Sequence, residues 1–498
     1  MEAASLTADL VFQWELLSPE YVLAAWAAGL ILLDLFWGRL SKEALGYVAA
    51  LGALLAAGVS LIWVDDGTDF AGLIDVNDYT TFFRVFFGLI AAFACVASAR
   101  YVKERLLHPG EYYALILLGV IGANGMAAAR ELLTAYISLE LLSFSLYVLT
   151  SFAKFDIRSN EGGLKYMLLG AFSSAIFLYG ISMVYGATGA THYAAIREAV
   201  SGDTSGVDTA LLLGLALMIA GLGFKVSAVP FHMWTPDAYE GAPLPITALI
   251  SAISKAAGFA LFLKLFVQAF LPLVDDWKYF IAALSVATMA LGNLVAIQQH
   301  NIKRLLAYSS IAQVGYLLMG IAALSQTSDG AASALVLHLT GYVATNLAAF
   351  VCVIIWYNWT GEEEIKGFAG AAERAPFLAL CLSIALFSLA GMPLFAGFAT
   401  KFILFQAAAR EDLLWLAAIA VFMSFVSLYY YLVVIREMYL GRPAEAVRFP
   451  TPWLEYGALT LLVIAVFVVG LYPRPVFDAV DSSTASIFAA VSQATVAR

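Results

Sequence analysis

The chain has 498 residues, of which 62% are apolar and only 12% charged, with a mean hydropathy of +0.87 and a net charge of −10. A soluble chain carries roughly 25% charged residues, so a soluble enzyme with a single anchor is excluded. The acidic balance leaves no basic stripe to displace counterions from phosphates, which excludes nucleic acid as a partner.

The N-terminal stretch MEAASLTADLVFQWELLSPE carries acids and no Lys or Arg. A cleaved signal peptide starts with positive charge, so the first apolar run is expected to persist as a span. Apolar runs of about 20 residues, the length a bilayer demands, recur at 19–37, 44–64, 80–99, 112–128, 131–152, 163–186, 210–236, 244–270, 278–297, 302–324, 331–357, 376–409, 412–439 and 453–472. They predict an all-α polytopic membrane protein with about fourteen transmembrane helices. Connections after odd-numbered spans hold fourteen basic residues, among them Arg39, Lys103, Arg158 and Lys366, against six on the other side. By the positive-inside rule the odd-numbered connections are cytoplasmic and both termini are periplasmic. The acid-rich stretch from Asp65 to Asp78 then faces outward.

An internal repeat is visible along the chain. ELLTAYISLE at 131–140 aligns with RLLAYSSIA at 304–312 with one gap, and LKYMLLG at 164–170 aligns with LHLTG at 337–341, pairing Lys165 with His338 at an offset of 173. GFKVSAVPFHMW at 223–234 and AGMPLFAGFATKF at 390–402 each combine a lysine with helix breakers, and Lys225 and Lys401 are 176 apart. The alternative is chance self-alignment of apolar sequence. Two five-span units follow, spans 4–8 and 9–13, and because five is odd the second enters from the opposite side. Such inverted repeats with broken helices at matching positions mark transporters. The implied units are 1–108, an N-terminal three-helix segment; 109–272 and 273–440, the two inverted five-helix repeats; and 441–498, a final helix and tail. Spans 7 and 12 are the expected broken helices.

A charge at the bilayer midplane costs about 2.5–3.5 kcal/mol on insertion scales, so every ionisable group inside a span is a functional candidate. Glu140 follows Arg130 by ten residues, about 15 Å of helix, which reaches the middle of a core about 30 Å thick. Lys255 lies equally deep after Pro245, and Lys225 and Lys401 also fall within spans. Burial disfavours the charged form of each group and a nearby opposite charge restores it, so a buried lysine with a movable carboxylate partner is a switchable proton donor. The competing reading is a structural ion pair. His232, after the break, could relay protons or cap the broken helix. Lys165 lies near the cytoplasmic edge and could snorkel. Lys264 and Arg84, near span ends, are expected to snorkel.

No GxGxxG, P-loop, HExxH or cysteine cluster is present, and Cys95, Cys352 and Cys381 lie far apart in apolar runs. Nucleotide, flavin, iron–sulfur and zinc chemistry therefore have no home in this chain.

The stretches GGLKYMLLGAFSSA at 162–175, VPFHMWTPDAYEGAP at 229–243, SAISKAAGFA at 251–260, NIKRLLAYSSIAQVGY at 301–316 and GMPLFAGFATKF at 391–402 resemble the antiporter-like subunits in the membrane arm of proton-pumping NADH:quinone oxidoreductase (respiratory complex I), related to Mrp-type Na⁺/H⁺ antiporters. The similarity runs over essentially the whole chain. The first stretch, the lysine at 401 and an end shortly after span 14 are similar to the N, or mitochondrial subunit 2, type. The resemblance implies that Glu140 and Lys225 form the glutamate–lysine pair, that Lys255 is the central-axis lysine and Lys401 the terminal one. It makes Lys165 the modulating lysine and His232 the histidine after the break. His338, which the repeat aligns with Lys165, is a further proton-transfer candidate. It also implies a proton-translocating, non-redox subunit in a bacterial inner membrane, next to lipids, an antiporter-like subunit M and a small subunit K. NADH, FMN, iron–sulfur clusters and quinone would belong to partner subunits. The alternative it leaves is a subunit of an Mrp-type cation/proton antiporter.

Overall fold

The structure is a computed structural model that describes residues 13–36, 41–64, 66–69, 72–201, 209–442 and 453–496. Its helices are α1 (Ser18–Phe36), α2 (Lys42–Ile62), α3 (Asp78–Arg105), α4 (Pro109–Ala128), α5 (Leu132–Thr150), α6 (Ile157–Thr188), α7 (Tyr193–Val200), α8 (Thr209–Val226), α9 (Trp234–Gly241) and α10 (Leu244–Leu249). They continue as α11 (Lys255–Leu265), α12 (Val274–Ala296), α13 (Ile302–Ala322), α14 (Gly330–Thr360), α15 (Ala371–Arg374), α16 (Pro376–Ala390), α17 (Ala396–Arg410), α18 (Leu414–Leu440), α19 (Trp453–Leu471) and α20 (Arg474–Val496). A short antiparallel hairpin, β1 (Gly67–Asp69) and β2 (Ile74–Val76), precedes α3. Twelve helical stretches among the described residues are long and apolar enough to cross a membrane, so the chain is a multi-pass membrane protein.

Polar side chains start several helices by accepting from backbone N–H groups that have no partner in the first turn. Ser41 does this for α2, Asn77 for α3, Glu131 for α5, Asp156 for α6 and Asn301 for α13. Hydrogen bonds sort the connections into two groups. In one, Lys42 donates to Leu106 O (3.2 Å), Lys303 to Ala242 O (3.1 Å), and Ile302 N to Glu363 O (2.8 Å). In the other, Arg130 N donates to Leu73 O (2.9 Å), Arg197 to Val267 O (2.9 Å), and Lys278 to Glu411 O (2.8 Å). The first group joins connections after odd-numbered spans and the second those after even-numbered spans, the two sets separated by charge in the sequence. They are called the odd and even faces below.

Two isolated bridges have the same construction. Leu132 N donates to Thr191 O and Tyr193 N to Arg130 O, making the bridge Glu131–His192. Ile302 N donates to Glu363 O and Ile365 N to His300 O, making the bridge Asn301–Glu364. The first lies on the even face and the second on the odd face. Each ties the start of a helix (α5, α13) to the end of the next (α6, α14), and α6 and α14 end alike, on Gly189 and Gly361 in the left-handed region.

Two helices break where Pro and Gly predicted. After α8 the chain passes through Ser227 (φ 73°) and a cis Val229–Pro230 bond before α9 begins. After α16 it turns through Gly391 (φ 86°) and Leu394 (φ 80°) into α17. At Gly397 a β-carbon would fall 1.7 Å from Ser388 O, so only glycine lets the two halves of this helix meet. Lys225 precedes its break whereas Lys401 follows its own, and the break prolines Pro230 and Pro393 are 163 apart rather than 176. The lysine offset is therefore not a match of the breaks themselves.

The last segment, expected as a tail, carries a second helix, α20, on the even face. Its Val480 and Ile487 recur at helical spacing and are fully buried, which gives it the apolar stripe that holds an amphipathic helix down. Asp481 and Thr484 bond Ser333 of α14 at 2.8 and 2.7 Å, and Ser486 accepts from Tyr79 N of α3 at 3.3 Å.

Candidate proton-transfer site

Of the five lysines buried among the described residues, Lys264 and Lys303 pair with carboxylates, whereas Lys225, Lys255 and Lys401, at 2%, 0% and 3% exposure, make no ion pair. Lys225 lies in the last turn of α8 and donates to Ser143 Oγ of α5 at 2.9 Å. Lys255 opens α11, directly after a π-helical turn, Ile250–Ser254, a distortion frequent at functional sites. Its ammonium donates to the Tyr239 hydroxyl of α9 and lies 5.5 Å over the Trp234 ring and 4.8 Å over Tyr239. Lys401, in α17, donates to Leu389 O at 2.9 Å and Ser424 Oγ at 3.0 Å, and lies 4.5 Å over the Tyr316 ring. A cavity of about 190 Å³ bounded by Gly391, Phe398, Phe402, Ser424 and Phe425 reaches Lys401.

Polar side chains surround Lys255 and Lys401 in two clusters. Beyond Lys255, Tyr239 Oη meets Ser310 Oγ of α13 at 3.4 Å, and Tyr342 Oη of α14 donates to the same Ser310 oxygen at 2.9 Å. Toward Lys401, Gln313 donates to Leu389 O at 3.1 Å, so it shares that carbonyl with the lysine. His338 is buried in α14 with Nδ1 3.0 Å from Thr400 Oγ1, one residue before Lys401. Hydroxyls and ammonium groups both donate and exchange protons, so the groups around Lys255 and those around Lys401 can each hold a proton or hand it to a neighbour. Ser143, Tyr239, Ser310, Gln313 and Tyr342 were not picked out from the sequence. For Ser143 and Tyr342 the available signal was a place one turn after a candidate, Glu140 and His338 respectively, whereas Ser310 and Gln313 carried none.

Glu140 and Lys225 are not an ion pair in this structure. Half-buried Glu140, on α5, accepts from Ser174 Oγ of α6, and no ion pair joins it to Lys225 among the described residues. Lys165 is at the odd face, bonded to Asp237 Oδ2 and Glu161 Oε1, both at 2.8 Å, with its side chain 44% exposed. His232 is half-buried in the turn before α9. Its backbone carbonyl, not its ring, accepts from Thr235 N at 2.9 Å. On the odd face Asp237 also accepts from Arg304 at 3.1 Å. Burial works to raise the Asp237 carboxyl, and the hydrogen bonds from Lys165 and Arg304 outweigh it and hold the group below its ordinary value.

Lys264 and Arg84 do not snorkel. Lys264 is fully buried, donating to Asp75 of the hairpin and, at 2.9 Å, to Ala127 O. Arg84 is 2% exposed and grips Glu20 with two bonds of 2.9 Å, one to each carboxylate oxygen. Near a span end a lysine snorkels only when no acid is at hand, and here the acids come from distant segments. Removing one partner of a buried pair costs about 3–5 kcal/mol, whereas an apolar pair of similar volume is neutral or stabilising. Lys264→Met alone should therefore lower the thermal midpoint of the purified protein, and Lys264→Met with Asp75→Leu should recover it. A single variant as stable as wild type would show that the pair contributes nothing.

No cluster of His, Cys, Asp and Glu suited to a metal is present among the described residues. The family described as NADH:quinone oxidoreductase/Mrp antiporter matches residues 129–427. The chain is 42% identical over 478 residues to an NADH-quinone oxidoreductase subunit N of Moorella thermoacetica, covering 95% of this chain and 98% of that protein. Its fold is similar to a chain of respiratory complex I from Thermus thermophilus with bound aureothin, at 29% identity and a TM-score of 0.75 over 93% and 99% of the two chains. It is also similar to a chain of the Mrp complex from Dietzia, at 20% identity and a TM-score of 0.83 over 96% and 99%, a likeness of fold alone.

Proposed function

The chain belongs to the NADH:quinone oxidoreductase/Mrp antiporter family of membrane proteins, and from that premise we propose that it is the proton-translocating, non-redox N-type subunit in the membrane arm of an NADH:quinone oxidoreductase. The observation that carries this reading is the line of buried titratable lysines, Lys225, Lys255 and Lys401, in a chain related over its full length to a subunit N. Protons are held on Lys225 and Lys255 and pass by Tyr239, Ser310, Tyr342 and water toward His338 and Lys401. Glu140 is the switching counter-ion of Lys225, while Lys165 and His232 lie on the approach from the odd face.

The crossings number fourteen when the 53-residue run Leu244–Ala296 is divided at Leu271–Leu273 and each broken helix is counted once. Residues 109–272 and 273–440 are read as inverted five-helix repeats. The support is the pair of like-built bridges on opposite faces, Glu131–His192 and Asn301–Glu364. Residues 1–108 flank them as a three-helix segment and 441–498 as a terminal helix with α20 after it. With the odd face cytoplasmic, both termini are periplasmic and the protein sits in the bacterial inner membrane. A cysteine at Thr68 is then expected to label from outside and one at Lys366 from the cytoplasm. Labelling of both from one side would discard this topology.

The partners are other membrane-arm subunits, subunits M and K as neighbours, and lipid. NADH, FMN, iron–sulfur clusters and quinone act in other subunits. Purification tests the assignment. Co-purifying flavin and iron–sulfur subunits, with NADH-driven proton uptake in vesicles, would support it. A complex of only hydrophobic subunits that exchanges cations for protons would instead make the chain an Mrp-type antiporter subunit.

A further inference from the structure

The helix α9 is short and preceded by a break, so its position depends on what grips it. On its outward side Asp237 is shared by two cations: Oδ2 accepts from Lys165 of α6 at 2.8 Å and Oδ1 from Arg304 of α13 at 3.1 Å. Arg304 also bonds Glu240 at 2.7 Å, and Lys303 donates to the carbonyls of Glu240 and Ala242 at 2.5 and 3.1 Å. These cations meet the C-terminal end of α9, where carbonyls lack helical partners. Against α6 the contact is backbone to backbone: a β-carbon at Gly162 would fall 2.9 Å from Asp237 O, and one at Gly241 2.3 Å from Arg158 O.

On its inward side α9 presents Tyr239, whose hydroxyl accepts from Lys255 and meets Ser310. Asp237 and Tyr239 are two residues apart, about 200° around a helix, so they look in opposite directions. The eight residues of α9 thus join an ion-pair cluster at the odd face to the proton-carrying lysine at the centre. Lys165 is linked to Lys255 through this helix, and Arg304 brings the second half of the bundle to the same carboxylate.

We propose that Asp237 is a positioning residue for proton transfer: as the shared counter-ion of Lys165 and Arg304 it fixes α9 so that the Tyr239 hydroxyl meets Lys255, and the pairing of Lys165 is felt at Lys255 through that helix. This rests on the reading of Lys255 as a proton carrier. A change of charge or distance at Lys165 alters the grip on Asp237, tilts α9 and lengthens the Tyr239–Lys255 bond, with no proton passing along the outer cluster.

The test uses the whole complex in vesicles, with its content quantified and proton uptake measured during quinone reduction. Asp237→Asn should assemble and lower proton-coupled turnover about tenfold, within the range of coupling between linked sites. Asp237→Glu should restore most of it, Tyr239→Phe should match the Asn variant, and the double variant should be no worse than either single. Additive losses in the double variant, or normal turnover in Asp237→Asn, would overturn the proposal. If Asp237→Asn does not accumulate, Lys165→Gln combined with Tyr239→Phe decides by the same criterion, since Lys165 is half exposed and its loss leaves no hole. Lys255→Met is run beside them. Normal pumping there would bring down the functional reading itself, whereas an inactive Lys255→Met beside a normal Asp237→Asn overturns only the role of Asp237.

Discussion

Alanine in place of Lys401 is expected to leave the complex assembled and to lower proton-coupled quinone reduction about a hundredfold, the low end of what a positioned acid or base contributes. Lys401 makes no ion pair among the described residues. Its partners are a carbonyl, Leu389 O, and a hydroxyl, Ser424 Oγ, and Ser424 retains a second bond to Ala390 O at 3.1 Å. The adjoining cavity gives the smaller side chain no wall to collapse. Lys401→Arg sharpens the experiment, because arginine keeps the charge and the hydrogen bonds but does not release its proton. A proton carrier makes both variants inactive per assembled complex. A structural lysine makes Arg active and Ala poorly assembled. Full activity with unchanged proton stoichiometry in Lys401→Ala would remove the residue from the pathway.

The buried lysines were legible in the sequence because a charge inside an apolar run is costly and therefore rare, so Lys225, Lys255 and Lys401 stood out against their neighbours. The breaks were legible for a similar reason, since Pro230, Gly391 and Pro393 interrupt runs that otherwise continue as helix. What connects the lysines was not. Serine and tyrosine are ordinary in membrane helices, and nothing local separates Ser310, which meets both Tyr239 and Tyr342, from its neighbour Ser309, which meets Tyr431. Lys264 was misjudged because its partner Asp75 lies 189 residues away on a hairpin, and depth along one helix says nothing about what a distant segment brings. The repeat was legible in outline. Pairing Lys225 with Lys401 misled in detail, because the two stand on opposite sides of their breaks, whereas the bridges at Glu131–His192 and Asn301–Glu364 depend on backbone geometry that no residue type announces.

Glu140 and Lys225 should behave as one unit although they do not touch. Lys225 donates to Ser143 and Glu140 accepts from Ser174. Glu140 and Ser143 are three residues apart on α5, which puts them on one helix face, so a rotation of the Glu140 side chain from α6 toward α8 would carry the carboxylate to the lysine. A carboxylate close by favours the charged lysine, and one turned away leaves a buried ammonium ready to give up its proton. Glu140→Gln removes that control and Lys225→Ala removes the carrier. Each is therefore expected to lower NADH-driven proton uptake in vesicles about a hundredfold, with the double variant little worse than either single, as for residues that act together. Glu140→Asp should retain part of the activity, since it keeps the charge at shorter reach. Complex content must be quantified in every preparation, so that lost assembly is not counted as lost pumping. Multiplicative losses in the double variant, or wild-type uptake by Glu140→Gln, would show that the two groups work independently and that the switch at this end of the lysine line lies elsewhere.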